Sequence, residues 1–256
     1  MNRLAGAAFA AAAAITTVAG CGLSFGATTD HENRAYRVAD PITRLRLRGP
    51  AANVEITGAD VRKVTVKERL DFTEHRRPLS QHGVSGGELS LSYRCPDRFI
   101  VGTRSCGVSY RIQVPRGTAV DVATRAGTVR ISGLTAAVTT EVGAGTTRLT
   151  DVRGPLRLSA GTGAITGTGL RCASGDEVRV RARVGDVELS FAVPPGVVDT
   201  AAGSGTTRIR VPSGLPYAVR ADADMGSERI GVRHDPAAPH RIHARSTTGD
   251  IAILPA

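Results

Sequence analysis

The fold is decided by a short phrase that first occurs as Ala126-Gly127-Thr128-Val129-Arg130-Ile131. It is a turn glycine followed by alternating polar and apolar residues, and it recurs with variations to residue 254. The turn glycines follow one another at intervals of 18, 18, 22, 20, 21 and 23 residues, and they are Gly127, Gly145, Gly163, Gly185, Gly205, Gly226 and Gly249. Such intervals indicate a repeat in which each unit is one supersecondary element.

Within each unit, apolar and polar residues alternate with the period of two that is typical of β-strands. Leu156, Leu158 and Ala160 share one phase, for example, whereas Arg157 lies in the other. A unit of about 20 residues cannot cover its own apolar side, so neighbouring units must stack around a shared core. The residues expected in that core are Val129, Ile131, Leu149, Leu158, Val180, Leu189 and Ile209.

The predicted fold class is all-β. We expect a single-stranded β-solenoid, similar to a β-helix, with about seven glycine-cornered coils. The alternative is an antiparallel β-sandwich with glycine turns. Composition agrees with both, because 256 residues are enough for one packed domain and the low aromatic content of 4% leaves the core to small, often β-branched residues.

Residues 1–20 are expected to be a lipoprotein signal peptide. Arg3 precedes an apolar, Ala-rich run, and Val18-Ala19-Gly20-Cys21 resembles the lipobox of bacterial lipoproteins. Cys21 would then be the lipidated first residue of the mature chain, and its two acyl chains would hold the protein stably at the membrane. The alternatives are a plain secretory signal and an uncleaved transmembrane helix, for which the apolar run is short.

Residues 21–40 are mixed and polar, and we interpret them as the lipid anchor and its tether. A β-repeat domain is expected over residues 41–256, with regular repeats at 126–254 and an atypical capping part at 41–125. In the capping part, Pro50-Ala51-Ala52-Asn53-Val54-Glu55-Ile56 resembles a degenerate copy of the phrase, with Ala in place of the turn glycine. Residues 89–93 and 108–114 alternate as strands and are predicted to form a hairpin.

Besides Cys21, the chain has Cys95, Cys106 and Cys172. Cys95 and Cys106 lie at corresponding ends of the predicted hairpin strands, so in an exported chain we expect them to form a disulfide across its loop. Metal ligation is the alternative, but no second Cys or His pair stands at zinc-finger spacing. Cys172 is left over, either as a small buried residue or as a reactive or intermolecular thiol.

The repeats resemble those of the bacterial putative-adhesin family, a β-strand repeat domain of unknown function. The resemblance covers roughly residues 40–254 and rests on the run at 114–122 and on the corners Gly185-Asp186-Val187 and Gly249-Asp250-Ile251. Family members usually carry Ser-Gly-Asp at the corner, whereas only two of the seven turns here keep the Asp. The resemblance implies an envelope-facing, non-catalytic protein, and it transfers no catalytic residue.

No motif in the chain predicts a catalytic residue, a cofactor or a metal site. The glycine strings at 161–164 and 203–207 lack the spacing and the Lys-Ser/Thr ending of phosphate-binding loops. His240 and His243 are three residues apart and would face opposite sides of a strand. We therefore predict that the protein is not an enzyme.

The chain carries a formal net charge of +10, nearly all of its basic residues being Arg. Nucleic acid is a poor partner, because export separates the chain from it and no basic motif is interleaved with aromatic residues. Anionic polysaccharide, lipid headgroups and another envelope protein remain as possible partners beside the membrane itself.

Four units place an arginine three residues after the turn glycine, and these are Arg130, Arg148, Arg208 and Arg229. We predict that they form an anion-binding row in which Arg130 neighbours Arg148 and Arg208 neighbours Arg229, with Thr166 and Glu188 between the pairs. A second candidate is the group Arg179, Arg181 and Arg183. The alternative is that these arginines form a solvated face without a ligand.

The function predicted from these features is an adhesion or binding module for anionic envelope components, held outside the cytoplasm at the bacterial cell membrane by its lipid. The alternative is a structural or envelope-stress signalling accessory that binds another envelope protein.

Overall fold

The computed structural model describes residues 29–73, 76–96, 106–172 and 174–256. These residues form eighteen β-strands in one mixed sheet, and no helix occurs among them. The protein is therefore all-β, as its alternating sequence predicts. The strands are β1 (Thr29–Arg37), β2 (Arg44–Ala59), β3 (Thr65–Thr73), β4 (Leu79–Ser85), β5 (Glu88–Arg94), β6 (Cys106–Pro115), β7 (Ala119–Ser132), β8 (Val138–Thr150), β9 (Leu156–Thr162), β10 (Ile165–Leu170), β11 (Glu177–Val184), β12 (Val187–Phe191), β13 (Val197–Ser204), β14 (Thr207–Val211), β15 (Ala218–Met225), β16 (Glu228–Ile230), β17 (Arg241–Thr248) and β18 (Ile251–Pro255).

The strand pairings divide the sheet into two ladders. The long strands β2, β7 and β8 join them, because the first half of each strand belongs to one ladder and the second half to the other. Ladder A consists, in spatial order, of β4, β5, the first halves of β2, β7 and β8, and then β9, β11, β13, β17 and β15. Ladder B consists of β1, β3, β6, the second halves of β2, β7 and β8, and then β10, β12, β14, β18 and β16.

From β7 onward, every pairing between described strands is parallel and joins equivalent places of two repeat units. Gly127 pairs with Gly145, and Ile131 pairs with Leu149. Antiparallel pairing among the described residues joins only β1 to β3, β3 to β6 and β4 to β5. The regular repeats therefore lack the antiparallel neighbours that a sandwich requires.

The two ladders enclose one hydrophobic core. All seven residues predicted for the core are buried in a single cluster that extends from Val38 to Ile253. The alternation explains this burial, because residues at i and i+2 of a strand share one face. The core prediction is confirmed, and the cluster includes both the capping part and the regular repeats.

The turn glycines lie where the chain passes from ladder A to ladder B. Gly145 has a φ of 144°, and a Cβ atom there would overlap the carbonyl oxygen of Gly127 in the neighbouring unit. A side chain is therefore excluded by backbone conformation and by space together. In the capping part, Ala51 pairs with Ala126, and the Ala52 carbonyl lies against Gly127. Val54 and Ile56 likewise pair with Val129 and Ile131, so the degenerate copy predicted at residues 50–56 lies in register with the first regular phrase.

The last two repeat units are stacked in the reverse of their sequence order. β17 and β18 lie between the β13–β14 unit and the β15–β16 unit, so the β15–β16 unit forms the end of the stack. Ile251 and Ile253 of β18 are buried, whereas all three residues of β16 are exposed, including Glu228, which lies beside Ile251. The more apolar unit thus takes the internal place and the more polar unit takes the end, as is expected of a capping repeat.

Two expectations about the chain before the regular repeats are wrong. Residues 89–93 and 108–114 do not form a hairpin with each other, because β5 belongs to ladder A and β6 to ladder B. The hairpin partner of β5 is β4, through a turn at Gly86 and Gly87. The predicted tether at 21–40 is too long, since residues 29–37 form β1 and pair with β3. In each case long-range pairing decided the structure of a segment that has no repeat phrase.

The Cys95–Cys106 disulfide is confirmed, and it joins the end of β5 to the start of β6. It therefore links the two ladders instead of closing one hairpin. Residues 1–28, with the predicted signal peptide and Cys21, lie outside the described residues. Within the described part, no helix is long and apolar enough to cross a membrane.

Candidate anion-binding surface

A line of charged residues crosses the outer side of ladder B. In spatial order it contains Lys67 of β3, Arg111 of β6, Glu55 of β2, Arg130 of β7 and Arg148 of β8, each in register with the next. We call these five residues the cationic row. Neighbouring strands are about 4.8 Å apart, so the row is about 19 Å long.

The same register continues from Arg148 to the far end of ladder B. The next places are Thr166, Glu188, Arg208, Ala252 and Arg229. Arg130 and Arg148 are direct neighbours, and Thr166 and Glu188 follow them, as predicted. The expectation that Arg208 neighbours Arg229 is wrong, because the reversed order of the last two units puts Ala252 between them.

The alternation of polar and apolar residues along each strand makes the arginines of the row point toward solvent. Val129 and Ile131, on either side of Arg130, are both buried, and Thr147 and Leu149 are buried on either side of Arg148. Turning either arginine inward would require its strand to give up two core contacts and to bury a charge. The outward direction is therefore a consequence of the core.

Counter-ions are unevenly distributed along ladder B. Arg111 forms an ion pair of 2.9 Å with Glu55, in which the two side chains are 73% and 48% exposed. Glu188 pairs with Arg210 at 2.8 Å. Within the described ranges, Lys67, Arg130 and Arg148 form no ion pair, and neither do Arg208 and Arg229. Two neighbouring guanidinium groups without a carboxylate repel each other unless solvent or a bound anion screens them.

A groove of 560 Å³ lies at the Lys67 end of the row. Five cations and two carboxylates line it, together with Asn33, Asn53, Ser109 and other residues, and the charged ones are Arg34, Lys67, Arg69, Arg111, Arg130, Glu55 and Glu68. Three of these cations are ion-paired, Arg34 with Glu32, Arg69 with Asp71 and Arg111 with Glu55. Lys67 and Arg130 therefore supply the positive charge that has no carboxylate partner in the described ranges, and in a concave groove they raise the local concentration of anions.

The second candidate group lies on the outer side of ladder A and is largely neutralised. Arg181 donates a hydrogen bond of 2.7 Å to Asp199, and Arg179 donates one of 2.5 Å to Glu177. Burial alone would raise the pKa of Asp199, but the hydrogen bond and charge of Arg181, together with the charge of Arg245, hold this pKa below its ordinary value. Of the three predicted arginines, only Arg183 forms no ion pair in the described part of the chain.

The corner residues Asp186 and Asp250 have a structural role. Asp186 Oδ1 accepts a hydrogen bond of 2.8 Å from the Thr206 backbone N–H, and Asp250 Oδ1 accepts one of 2.9 Å from the Ser227 backbone N–H. The Asn53 side chain accepts the equivalent bond from the backbone of Thr128. Each bond connects a corner to the corner of the adjacent unit, so these side chains tie neighbouring units together.

Cys172 is buried, and burial, with a smaller contribution from the charge of Asp176, raises the pKa of its thiol to about 12. A thiol in this state is a poor nucleophile, which supports the interpretation as a small core residue.

Two further observations concern catalysis and metal binding. The segment at 83–87 has the Gly-x-Ser-x-Gly spacing of a nucleophile elbow, but it lies at the β4–β5 turn, and β5 follows it instead of a helix. Within residues 29–73, 76–96, 106–172 and 174–256, no cluster of three or more His, Cys, Asp or Glu side chains is arranged to hold a metal ion.

No protein-family model matches the chain, and no curated protein matches it. Among solved structures, a putative adhesin from Bacteroides fragilis is 16% identical, with a TM-score of 0.45 over 90% of this chain and 99% of that chain. A putative cell adhesion protein from Clostridium sporogenes is 13% identical, with a TM-score of 0.39 over 89% and 100%. A putative lipid binding protein from Parabacteroides distasonis is 13% identical, with a TM-score of 0.36 over 89% and 97%. Similarity at these values assigns neither a family nor a function to this chain.

Sequence reasoning missed two members of the cationic row, Lys67 and Arg111. They lie on β3 and β6, which have no repeat phrase and pair with each other in antiparallel direction. The only sequence signal was their polar phase, since Val66 and Ile112 beside them alternate into the core. Alternation shows that such residues point outward, but it does not show which strands are neighbours.

Proposed function

We propose that the protein is a non-catalytic envelope lipoprotein that binds anionic envelope components through the outer side of ladder B. The observation that carries this proposal is the adjacency of Arg130 and Arg148 without a carboxylate partner among the described residues. An anion bridging two guanidinium groups would relieve their repulsion and form charge-assisted hydrogen bonds to both. The candidate ligands are anionic polysaccharide and lipid headgroups.

Binding to these anions is tested with polygalacturonate and with vesicles that contain phosphatidylglycerol. We expect affinity for at least one of them to fall steeply with salt, because exposed charges are screened within about 10 Å at 0.1 M ionic strength. The Arg130→Ser/Arg148→Ser double variant should bind less tightly. The matched control is Arg179→Ser/Arg181→Ser, which removes the same charge from the neutralised side of ladder A. An equal loss of affinity in both double variants, or an affinity that does not change with salt concentration, would refute the proposal.

The proposal places the protein outside the cytoplasm, anchored to the cell membrane through Cys21. The Cys95–Cys106 disulfide supports an oxidising compartment. The lipid anchor rests on the lipobox resemblance of residues 18–21. Intact-mass measurement of protein from the native membrane should give a chain that begins at Cys21 and carries acyl groups. A Cys21→Ala protein that still sediments with the membrane would contradict the anchor.

We also infer that the two ladders wind as the successive coils of a β-solenoid, with a boundary near residue 126 between the capping part and the regular repeats. The parallel, in-register pairing of equivalent places supports this inference. Ladder A contains ten strand positions, so the stack should be about 45 Å long. Small-angle X-ray scattering should detect an elongated particle, and a spherical one would contradict the solenoid.

A further inference from the structure

We infer that the groove at the Lys67 end of the cationic row is the primary binding site and that its ligand is a linear acidic polysaccharide lying across the strands. This inference rests on the proposed function, and it adds the place, the ligand class and the direction of the bound chain. Lys67 and Arg111, which sequence reasoning did not include, become binding residues beside Arg130 and Arg148.

The direction follows from the register of the charges. Lys67, Arg111, Arg130 and Arg148 lie on four of five consecutive strands, in a line perpendicular to the strand axes. A polymer with regularly spaced carboxylates can meet all four only if it runs along this line, which is about 19 Å long. Arg111 remains available despite its partner Glu55, because both side chains are exposed and an exposed ion pair is weak.

A second line, of polar residues, runs beside the cationic row and favours sugar over a purely ionic polymer. In register it contains Asn33, Arg69, Ser109, Asn53 and Thr128. Asn53 uses its side-chain oxygen to accept a bond from the Thr128 backbone, so its amide group remains free to donate. Asn33 and Ser109 make no side-chain hydrogen bond within the described ranges and line the groove. Together they offer partners for sugar hydroxyl groups.

The shape of the site argues against a membrane surface as its ligand. The charges line a concave groove, whereas a bilayer presents a flat surface that cannot follow it. Among the residues that the structure describes, the large exposed apolar side chains that could enter a bilayer are Leu79, Val84, Val184, Val197, Leu215, Met225 and Ile230, and none of them lines the groove. A single extended polymer chain fits both the concavity and the lack of large exposed apolar side chains among the described residues that line the groove.

The lysine content of the chain permits a direct test. Lys63 and Lys67 are its two lysines, and both are exposed. Lys67 lies in the groove, whereas Lys63 precedes β3 and does not line it. Acylation of the full chain by a lysine reagent, followed by peptide mass spectrometry, therefore measures the site and an internal control in one experiment.

Long oligogalacturonates should slow the acylation of Lys67 about fivefold and leave Lys63 unchanged, while a neutral maltooligosaccharide of the same length should affect neither. Short oligogalacturonates that cannot span the row should protect Lys67 less. Equal protection of both lysines, or no protection of Lys67, would overturn the site. Equal protection of Lys67 by short and long oligogalacturonates would overturn the direction across the strands. Protection of Lys67 by phosphatidylglycerol vesicles but not by oligogalacturonate would refute the assignment of a polysaccharide as the ligand.

Two substitutions provide an independent measurement. Lys67→Ser should lower oligogalacturonate affinity about fivefold, with Lys63→Ser as the matched control. Glu55→Gln removes the carboxylate within the cationic row and should raise affinity by a similar factor, whereas Glu141→Gln on the outer side of ladder A should not. If Arg130→Ser/Arg148→Ser weakens binding but Lys67→Ser and Glu55→Gln do not, the proposed function stands and the groove is refuted. If no variant alters affinity, both fail.

Discussion

The outer sides of ladder A and ladder B are both rich in arginine, but they differ in where the carboxylates lie. On ladder A, Asp121 lies between Arg46 and Arg48, and Asp199 lies near Arg179, Arg181 and Arg245. On ladder B, Arg130 and Arg148 are neighbours without a carboxylate partner among the described residues. Arginines that share a carboxylate thus form an ion-pair network on ladder A, whereas the adjacent Arg130 and Arg148 on ladder B are available to a ligand.

The inner sides of the ladders are alike. Both present alternating Val, Leu and Ile residues to one core, and each also presents buried threonines, Thr140 and Thr200 from ladder A and Thr147 and Thr207 from ladder B. The two ladders therefore contribute similar side chains to the core, and they differ in their exposed residues. Stability experiments should accordingly find the ladders similar, whereas binding experiments should separate them.

The largest expected effect is at the corner that joins the ladders. Gly145→Ala would place a Cβ atom on the Gly127 carbonyl and force a residue with a side chain to a φ of 144°. Strain and overlap together should cost about 2 to 6 kcal/mol of unfolding free energy. Gly83→Ala is the control, because Gly83 has no atom within 4 Å of the added carbon. Chemical denaturation measures both, and equal midpoints would show that the corner tolerates a side chain.

The corner shows how much the sequence could predict. The glycine interval and the alternation predicted the strands, the seven core residues and the adjacency of Arg130 and Arg148, because each depends on local pattern repeated in register. The reversed order of the β15–β16 and β17–β18 units depends on which of them buries more apolar surface in the internal place and which tolerates exposure at the end of the stack. Glu228, at the place of Ile251 in the next unit, was the available signal for an end unit.

The capping part was less predictable, for a different reason. β3, β4 and β6 contain no repeat phrase, so their neighbours are selected by packing and pairing between distant segments. The assumed β5–β6 hairpin followed chain proximity, although the two strands belong to different ladders. The groove lies in this part, which is why sequence reasoning found Arg130 and Arg148 and missed Lys67 and Arg111.

A second test compares the inner sides of the ladders. Leu158→Ala in ladder A and Ile131→Ala in ladder B each remove a fully buried side chain and should cost about 2 to 5 kcal/mol. Arg157→Ala and Arg130→Ala alter the exposed residues next to them and should stay within about 0.5 kcal/mol. Urea denaturation of the four variants checks this. A large difference between the two core variants would show that the ladders do not share one core equally.

A smaller effect is expected at the buried threonines. The hydroxyl groups of Thr200 in ladder A and Thr207 in ladder B have no hydrogen-bond partner among the described residues. Replacing each with Val keeps the shape and removes a polar group that is costly to bury, so each variant should gain about 1 kcal/mol. Thr139→Val, on the outer side of ladder A, is the control. A loss of stability in either core variant would mean that its hydroxyl group does have a partner.

The smallest expected change in stability, but the sharpest test of the two outer sides, is Asp199→Asn. Asp199 has a lowered pKa, so its contribution to stability is present above its unfolded-state pKa near 3.8 and is lost as the pH falls through the folded-state value. The wild type should therefore lose more stability than Asp199→Asn between about pH 5 and pH 2, while the two should differ by no more than about 1 kcal/mol at neutral pH.

The same substitution would leave Arg179, Arg181 and Arg245 without their shared carboxylate. If a missing carboxylate is what makes an arginine surface bind anions, Asp199→Asn should create salt-sensitive oligogalacturonate binding on ladder A, in addition to that on ladder B. The Arg130→Ser/Arg148→Ser background isolates the new binding, and Asp176→Asn, which loses a carboxylate that forms no ion pair in the described part of the chain, is the control. Unchanged affinity would mean that a missing counter-ion is not sufficient to make an arginine surface bind this polymer.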